Sequence, residues 1–358
     1  MRRPVLLFAL TSVSALSLPL PLPLAAQTEQ HTLRGERIAI WNLVGRLTAV
    51  PGSGDAVQVE VTRRGTDAAQ LRIATGDLSG RQTLRVVYPS DRIVYPELRR
   101  GRISGIGVRE DGTFYDGDWR DLGRRNRVDI RSSGPGLDAH ADVTVRVPRG
   151  QRIALYLAVG RAEVSNVDGD ITVDIGAADL DVTGTRGVLT LDTGSGRVTV
   201  RKASGEITVD AGSGGITLDS ISGSRLNLDS GSGGVDGADI DVSEFTADIG
   251  SGGLRLRRMK APRIDVETGS GGATLELLAG VERLNIETGS GGVTVRLPAT
   301  LSAEVDIETG SGGLQTDFEV TTRRVSRRHL QGRIGDGKGQ IRIEAGSGTV
   351  RLLKNQAP

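Results

Sequence analysis

Apolar and polar residues alternate through most of the second half of the chain, on both sides of a recurring Gly-Ser-Gly phrase. Leu189 and Leu191 precede one such phrase at every second position, and Val198 and Val200 follow it in the same way. A period of two with many β-branched residues is typical of strands that bury one face. Each repeat is therefore predicted to hold two short strands that are joined at a glycine corner.

The first glycine of the phrase returns every 18 to 21 residues, with one interval of 36 residues before its last occurrence. A period of this length is typical of stacked repeat proteins, in which no single repeat can bury its own apolar face. The chain is therefore predicted to be an all-β, parallel β-solenoid (β-helix-like) with rungs of 18 to 21 residues. We expect glycine at the corners because the backbone there takes a positive φ or passes close to its neighbour. The structural corner glycines are Gly176, Gly194, Gly212, Gly231, Gly250, Gly269, Gly289, Gly310 and Gly346.

The first 26 residues have the features of a secretory signal peptide. Arg2 and Arg3 precede an uncharged stretch over residues 5 to 24, and Ala25 and Ala26 end it. Prolines in the last third of this stretch disfavour a retained membrane helix. No second apolar stretch is long enough to span a bilayer, so no transmembrane segment is expected after cleavage. The protein is predicted to be exported to the periplasm, the outer surface or the extracellular space.

The repeat does not extend evenly over the mature chain. Residues 27–150 show looser strand patterns and are predicted to form an N-terminal cap of irregular rungs, with a loop insertion at residues 88–137. Residues 151–354 are predicted to form the β-solenoid repeat domain, in which an insertion at residues 315–338 explains the long interval. A cap is expected because a bare terminal rung exposes unpaired backbone groups.

Composition narrows the possible functions. The 45 basic and 44 acidic residues give a net charge of +1, so no overall field favours nucleic acid as a partner. The chain has no cysteine, which excludes disulfides and thiolate metal sites. No helical pattern follows the glycines, as a phosphate-binding loop requires. The serines of the repeat are not flanked by glycines two residues away on both sides, as the nucleophile of a hydrolase would be. The three histidines lie far apart in the sequence, without the spacing of metal ligands. No catalytic or cofactor-binding residue is therefore predicted, and no cofactor is expected.

One acidic residue stands two positions before each corner glycine. Stacked rungs would place these carboxylates in a single file, where like charges on neighbouring strands repel. We expect a solvated file that the nearby Arg201, Arg257 and Arg296 partly neutralise. A row of weak Ca²⁺ sites is the alternative, because Ca²⁺ binds carboxylate and carbonyl oxygens. The candidate calcium ligands are Asp192, Asp210, Asp229, Asp248, Glu267, Glu287 and Glu308.

The insertion at residues 88–137 concentrates aromatic residues in a chain that contains only 3% of them. Aromatic side chains interleaved with arginines are typical of binding interfaces and suit acidic sugars. The insertion is therefore a candidate binding segment, and the alternative is a cap whose aromatics seal the end of the stack. The candidate partner-binding residues are Tyr95, Arg99, Arg100, Phe114, Tyr115, Trp119, Arg124 and Arg125. The candidate acids of an enzymatic alternative are Asp111, Asp116, Asp118 and Asp121.

Two segments outside the corners carry a family resemblance. Val147-Pro148-Arg149-Gly150 leads into the repeats, and the glycine-rich run over residues 332–341 precedes the last Gly-Ser-Gly phrase. Together with the corners, they resemble the bacterial DUF4097 family of β-strand-repeat proteins, often called adhesins by inference from their architecture, over most of residues 30 to 354. The resemblance implies a surface-binding protein and carries no catalytic residues.

These patterns predict an exported structural or binding protein of the cell envelope or surface, adhesin-like and non-enzymatic, with a protein or a glycan as its ligand. Two alternatives remain open. A polysaccharide-active β-helix enzyme would need paired acids that converge in a cleft. A ligand-sensing partner of an envelope stress system is the other alternative.

Overall fold

The computed structural model describes residues 27–98, 103–114 and 127–355. Regular structure within these residues is almost entirely β, and the one helical segment among them is a 3-10 turn at Ala68–Gln70. The strands before the regular stack are β1 (Gln27–Leu33), β2 (Arg37–Pro51), β3 (Val57–Arg64), β4 (Arg72–Leu78), β5 (Arg81–Val87), β6 (Arg92–Val94), β7 (Ile103–Gly107), β8 (Arg127–Arg131) and β9 (His140–Val147). The strands of the stack are β10 (Gln151–Ser165), β11 (Asp168–Thr183), β12 (Arg186–Thr193), β13 (Val198–Arg201), β14 (Ser204–Ala211), β15 (Ile216–Ser230), β16 (Val235–Ile249), β17 (Leu254–Lys260), β18 (Arg263–Thr268), β19 (Ala273–Leu277), β20 (Arg283–Thr288), β21 (Val293–Leu297), β22 (Ala303–Thr309), β23 (Leu314–Thr316), β24 (Thr321–Val325), β25 (His329–Ile334), β26 (Gly339–Ala345) and β27 (Val350–Lys354).

Each turn of the chain adds one strand to each of two stacked faces. We call the strands that lead into the glycine corner face 1, and the strands that leave it face 2. On face 1, β12 pairs in parallel with β14, so that Leu191 lies beside Val209. On face 2, β13 pairs in parallel with β15, so that Val198 lies beside Ile216. The repeat of the sequence is thus one turn of a solenoid-like stack, and the predicted all-β repeat fold is confirmed.

The apolar positions of the repeat form one continuous core between the two faces. In one rung, Leu189, Leu191, Val198 and Val200 are each at most 3% exposed. Because the strands stack in register, each of these side chains lies beside its equivalent in the next rung. Burial of one Val or Leu side chain stabilises a fold by about 1.5–3 kcal/mol, so the alternation of the sequence is the main source of stability.

The corner glycines are required by the closeness of the rungs. None of the nine, all of them among the described residues, has a positive φ, so that part of the sequence-based expectation is wrong. A Cβ at Gly194 would lie 2.7 Å from the carbonyl oxygen of Gly176 in the preceding rung. The second glycine of the phrase is more confined, since a Cβ at Gly271 would overlap the carbonyl oxygen of Gly252. The close approach of two backbones therefore accounts for the glycine file.

Positive φ occurs instead at the opposite corner of the stack, where the chain returns from face 2 to face 1. This conformation is uncommon outside glycine, and Asn and Asp adopt it more readily than other residues. The non-glycine residues that take it there, with φ between 51° and 58°, are Asn166, Lys202, Ser220, Asp239 and Arg258. The residue type at this position varies from rung to rung, with Gly184 in one of them, so the sequence pattern did not reveal its backbone conformation.

A buried hydroxyl closes several glycine corners from the inside. The Thr268 hydroxyl donates a hydrogen bond of 2.7 Å to the carbonyl oxygen of Gly271, and the Thr288 hydroxyl donates an equal bond to Gly291. Ser230 takes the same place in an earlier rung and is fully buried. Buried polar groups need such partners. The threonine or serine that precedes several of the glycine phrases therefore has a structural role that the sequence analysis missed.

The N-terminal residues extend the stack with less regular strands. β2 pairs with β10 along both faces and is the first parallel rung. Face 2 continues through β9, β3 and β1, whereas face 1 continues through β5 and β4. The described part of residues 88–137 contains a separate three-stranded sheet of β6, β8 and β7. Ile93, Val128 and Ile130 of this sheet join the main core, so this part is packed structure and not an open loop.

The last rung of the sequence is not the last rung of the stack. β26 lies between β20 and β22 on face 1, and β27 lies between β21 and β23 on face 2. The chain reaches this position through residues 335–338, which cross over the segment before β22, and the Gly339 amide donates a 3.0 Å hydrogen bond to the Ser302 carbonyl. Beyond β22, the antiparallel β25 and β24 and the buried Phe318 close the end.

The predicted signal peptide, residues 1–26, lies outside the described residues. Within residues 27–98, 103–114 and 127–355, no helix has the length and apolar character that crossing a bilayer requires.

The close approach of successive rungs at the glycine corner predicts that the effect of one added methyl group depends on its position. Gly271→Ala should lower the free energy of unfolding by roughly 1–3 kcal/mol, because its Cβ must displace the neighbouring rung. Gly280→Ala is the matched control, since no atom lies within 4 Å of the Cβ position at Gly280. Urea unfolding of both variants checks this, and equal stability of the two would contradict the close-approach explanation.

Candidate functional site

The acidic residues that were predicted to lie in one file do so. On face 1, Asp192 lies beside Asp210, and Asp229 beside Asp248. Asp210 and Asp229 are also in register, and the file continues through Glu267, Glu287, Glu344 and Glu308. From Asp192 to Glu287 and at Glu308, the side chains are exposed to solvent. The sequence order of the last two members is reversed because the last rung is inserted into the stack.

Two stacked aromatic rings begin this file. Asp174 lies beside Tyr156, and Tyr156 lies beside Trp41. The rings of Trp41 and Tyr156 are parallel, with their centroids 4.5 Å apart. Arg81 donates a 3.3 Å hydrogen bond to the Tyr156 hydroxyl. Sequence reasoning missed Trp41 because the N-terminal strands and the insertion separate it from the repeats.

The file has little neutralising charge. Among the described residues, the seven candidate calcium ligands form no ion pair, whereas the neighbouring Arg225 pairs with Glu206 and Glu244 at 3.7 and 3.1 Å. Arg201, Arg257 and Arg296, which the sequence suggested as neutralising residues, lie on face 2. The expectation that these three arginines offset the file is therefore wrong.

The carboxylates in the middle of the file are harder to ionise than free aspartates. Although these side chains are exposed, partial desolvation by the surrounding protein raises the pKa of Asp192 above its ordinary value. Partial desolvation and then the charge of Asp192 raise the pKa of Asp210. Partial desolvation and then the charges of Asp210 and Asp248 raise the pKa of Asp229. The ionised forms of these three aspartates thus disfavour folding at neutral pH.

Geometry gives no support for a dedicated metal site. In the part of the chain that the structure describes, no three Asp, Glu or His side chains are arranged to hold an ion together. At the far end of the file, four glutamates line an open groove of about 460 Å³: Glu267, Glu287, Glu308 and Glu344. Binding of Ca²⁺ along the file stays a prediction.

A second groove, which we call the insertion groove, lies where the insertion meets the first regular rungs. It has a volume of about 440 Å³, and residues 95, 97 and 98 form one wall. The other wall consists of corner residues from successive rungs, namely Gly160, Arg161, Ala177, Ala178, Asp179, Ser195, Gly196 and Arg197. The sequence signal for this place was the departure of Ala177 and Ala178 from the Ser-Gly pattern of later corners.

Hydrogen bonds hold the wall from the insertion in place. The Tyr95 hydroxyl lies 3.1 Å from Glu97, whose carboxylate also pairs with Arg46 at 3.3 Å. The Tyr95 ring packs edge-on against His140, with a centroid distance of 5.1 Å. Burial lowers the pKa of His140 and therefore favours its neutral form. The wall is thus tied to strands β2 and β9 of the stack.

The structure divides the candidate partner-binding residues into two groups. Tyr95 and Phe114 are only 3% and 8% exposed, so their rings pack in the core and cannot offer a free aromatic surface. The other six lie outside the described residues, namely Arg99, Arg100, Tyr115, Trp119, Arg124 and Arg125. Recognition by these six stays a prediction.

Asp111, the described member of the candidate acid cluster, is engaged in structure. Its carboxylate accepts hydrogen bonds from the amide and hydroxyl of Thr113 and lies 3.6 Å from Arg85. Burial alone would raise the pKa of Asp111, but the bonds from Thr113 and the charge of Arg85 outweigh it and hold the pKa below its ordinary value. A general acid needs the opposite shift. Asp116, Asp118 and Asp121 lie outside the described residues.

Neutralising one member of the acidic file should stabilise the protein. Asp229→Asn is expected to raise Tm at pH 7, because it removes a charge that Asp210 and Asp248 repel. The rise should be only on the order of 1 °C, since solvent screens exposed charges. A raised pKa in the folded state means that the gain disappears once the pH falls below the pKa of Asp229. Asp239→Asn is the control, because hydrogen bonding to Arg258 lowers the pKa of Asp239 and its replacement should not raise Tm. Thermal melts at pH 3 and pH 7 measure both changes.

Calcium should have little effect on stability if the file is only solvated. We expect the Tm of the protein to change by less than about 1 °C between EDTA and millimolar Ca²⁺, because a ligand stabilises only the state that it binds. Millimolar Mg²⁺ serves as the control for ionic strength. A rise of several degrees with Ca²⁺ alone would establish calcium sites along the file.

Solved structures that match this chain include a candidate adhesin from Parabacteroides merdae, with 11% identity, a TM-score of 0.41, and 91% of this chain and 95% of that chain covered. A candidate lipid-binding protein from Parabacteroides distasonis has 12% identity, a TM-score of 0.39, and coverage of 93% and 98%. No curated protein matches the sequence of this chain. The family profile of Toastrack DUF4097 matches residues 137–353, more than half of the chain, and the protein therefore belongs to the DUF4097 family.

Proposed function

We propose that the protein is an exported, non-catalytic binding module of the cell envelope or surface, built on a β-solenoid with rungs of 18 to 21 residues. In this proposal the regular rungs are a rigid scaffold, and recognition takes place where the repeat is interrupted. A stack of equal rungs presents the same surface many times, so selectivity for one ligand needs residues that break the repeat. The insertion groove is the observation that carries the proposal.

The insertion groove suits a polar ligand. Glu97 and Asp179 provide carboxylates, and Arg161 and Arg197 provide cations. Arg161 is paired with Asp181 at 2.7 Å, whereas the Arg197 guanidinium forms no ion pair with a described residue. The Arg197 amide donates to Asp179 at 3.0 Å, which fixes that carboxylate in the groove. Fixed donors and acceptors on both sides of an open groove favour a glycan or an extended peptide.

The arginines of the insertion add to this argument. Arg99 and Arg100 follow directly after Leu98, which lines the groove. Arginine recognises carboxylates and phosphates through paired hydrogen bonds. An acidic envelope glycan or an acidic protein segment is therefore the ligand class that the proposal favours.

The carboxyl groups of the described residues support a non-catalytic role. Glycoside hydrolysis needs two carboxyl groups with separate pKa values on either side of a bond. Among the carboxyl groups of the described residues, those with a raised pKa are Asp192, Asp210 and Asp229 of the acidic file, and Asp111 is held ionised. A polysaccharide-active enzyme would depend on Asp116, Asp118 and Asp121. A sensing partner of an envelope stress system would also bind its ligand in the insertion groove, but binding would then act as a signal.

Filling the insertion groove should weaken ligand binding without unfolding the protein. A screen of the mature protein against glycans and envelope fractions provides the ligand. Ala177→Phe should then weaken its binding by at least about tenfold, the loss that corresponds to roughly 1.4 kcal/mol. Ser251→Phe is the matched control, because Ser251 occupies the equivalent corner slot in a later, exposed rung. Equal loss in both variants, or in neither, would contradict the proposal.

Removal of residues 115–126 tests four of the six candidate residues that the structure does not describe, namely Tyr115, Trp119, Arg124 and Arg125. A short Gly-Ser linker in their place keeps Tyr95 and Phe114 in the core. We expect an unchanged melting transition and a loss of ligand binding. A lowered Tm with intact binding would assign the segment to the cap.

A further inference from the structure

Three arginines come together on the outer side of face 1, at the N-terminal end of the stack. Arg37 of β2 lies beside Arg152 of β10 in the parallel register. Arg81 immediately precedes Gln82, which pairs with Ile38 on the other side of β2. Three neighbouring strands thus each contribute one guanidinium to the same place, and all three side chains are exposed.

The local charge is not balanced. Asp170 accepts a 2.7 Å hydrogen bond from Arg152, and Glu36 lies 3.8 Å from the same guanidinium. Arg37 and Arg81 form no ion pair with a described residue, and Arg81 donates only to the neutral hydroxyl of Tyr156. Like charges on directly opposed strand positions are destabilising. The arrangement therefore leaves two cations unmatched.

The same file is balanced further along the stack. Arg225 occupies the equivalent outward position four rungs later, where it lies between Glu206 and Glu244 and pairs with both. A carboxylate on each side is thus compatible with this strand geometry. At the N-terminal end, two more arginines stand where carboxylates would balance the charge.

The arginines border a groove, which we call the arginine groove. It has a volume of about 260 Å³ and is lined by Arg37, Arg81, Arg152, Tyr156, Asp170 and Thr172, together with Ile38, Ile153 and Ala154. The stacking of Tyr156 on Trp41 fixes the aromatic ring at its edge. The small Ala154 and Thr172 lie two residues along the strands from Arg152 and Asp170, between the arginines and the Tyr156 ring. The groove is therefore concave, cationic and bordered by a ring.

We propose that the arginine groove binds an oxyanion, either the carboxylate of an acidic sugar or a phosphate group. Guanidinium groups bind both through paired, charge-assisted hydrogen bonds. A bound oxyanion takes the place of the missing carboxylates and relieves the repulsion between Arg37, Arg81 and Arg152. This site is separate from the insertion groove and does not rest on the function proposed for it.

Titration calorimetry of the mature protein with three probes tests the proposal. The probes are glucuronate, a galacturonate oligomer and inorganic phosphate, each at low salt because added salt screens exposed charges. Arg37→Gln should weaken binding by about tenfold, whereas Arg225→Gln, on the same face but already paired, should leave it unchanged. Without ligand, Arg37→Gln should raise Tm and Arg225→Gln should not.

The outcomes separate the two sources of the anion. Binding of the uronates but not of phosphate assigns an acidic sugar, and binding of phosphate alone assigns a phosphorylated group. If none of the probes binds at millimolar concentration, the proposal is overturned. Equal loss of binding in Arg37→Gln and Arg225→Gln also overturns it, because it shows attraction by overall charge. Ala177→Phe, which blocks the insertion groove, should leave oxyanion binding unchanged.

Discussion

The stack depends on the contact between the backbones of successive rungs at the glycine corner. Neighbouring strands lie about 4.8 Å apart, and at this corner the chain turns without leaving that spacing. A side chain there would occupy the place of the carbonyl oxygen in the preceding rung, as at Gly271 over Gly252. The buried hydroxyls of Thr268 and Thr288 then hold the turn from the inside. The register of both faces follows from this contact.

The register of the strands determines which side chains lie next to each other on the surface. Every outward position becomes a file in which each residue lies next to its equivalents. A file of carboxylates is tolerated because solvent reaches it, and a file of alternating charge, as around Arg225, is stabilised. Sites of distinct chemistry arise where a file begins or is interrupted, as at Tyr156, Arg37 and the insertion groove.

Local patterns in the sequence predicted the parts of the fold that depend on neighbouring rungs. The alternation and the glycine period predicted the strands, the core and the acidic file, because each depends on residues one rung apart. The arginine groove was not predictable in this way, since Arg37, Arg81 and Arg152 are brought together by strands that are far apart in the chain. The insertion of β26 between β20 and β22 was also missed. The repeats are so similar that the sequence does not show which of them are neighbours in the stack. Burial of Tyr95 was missed because aromatic residues in a polar segment fit a binding surface and a cap equally well.

The inserted last rung has a consequence for the order of events during folding. A chain that emerges from its N-terminus can add turns one after another only as far as β20 and β21. The strands β22 and β23 are made next, but their places in the stack are one rung away until β26 and β27 fill the space. Without β26 and β27, the facing edges of β20 and β22 on face 1 and of β21 and β23 on face 2 have no partner strand. Unpaired edges of this kind pair readily with other strands, so closure of the stack depends on these two strands.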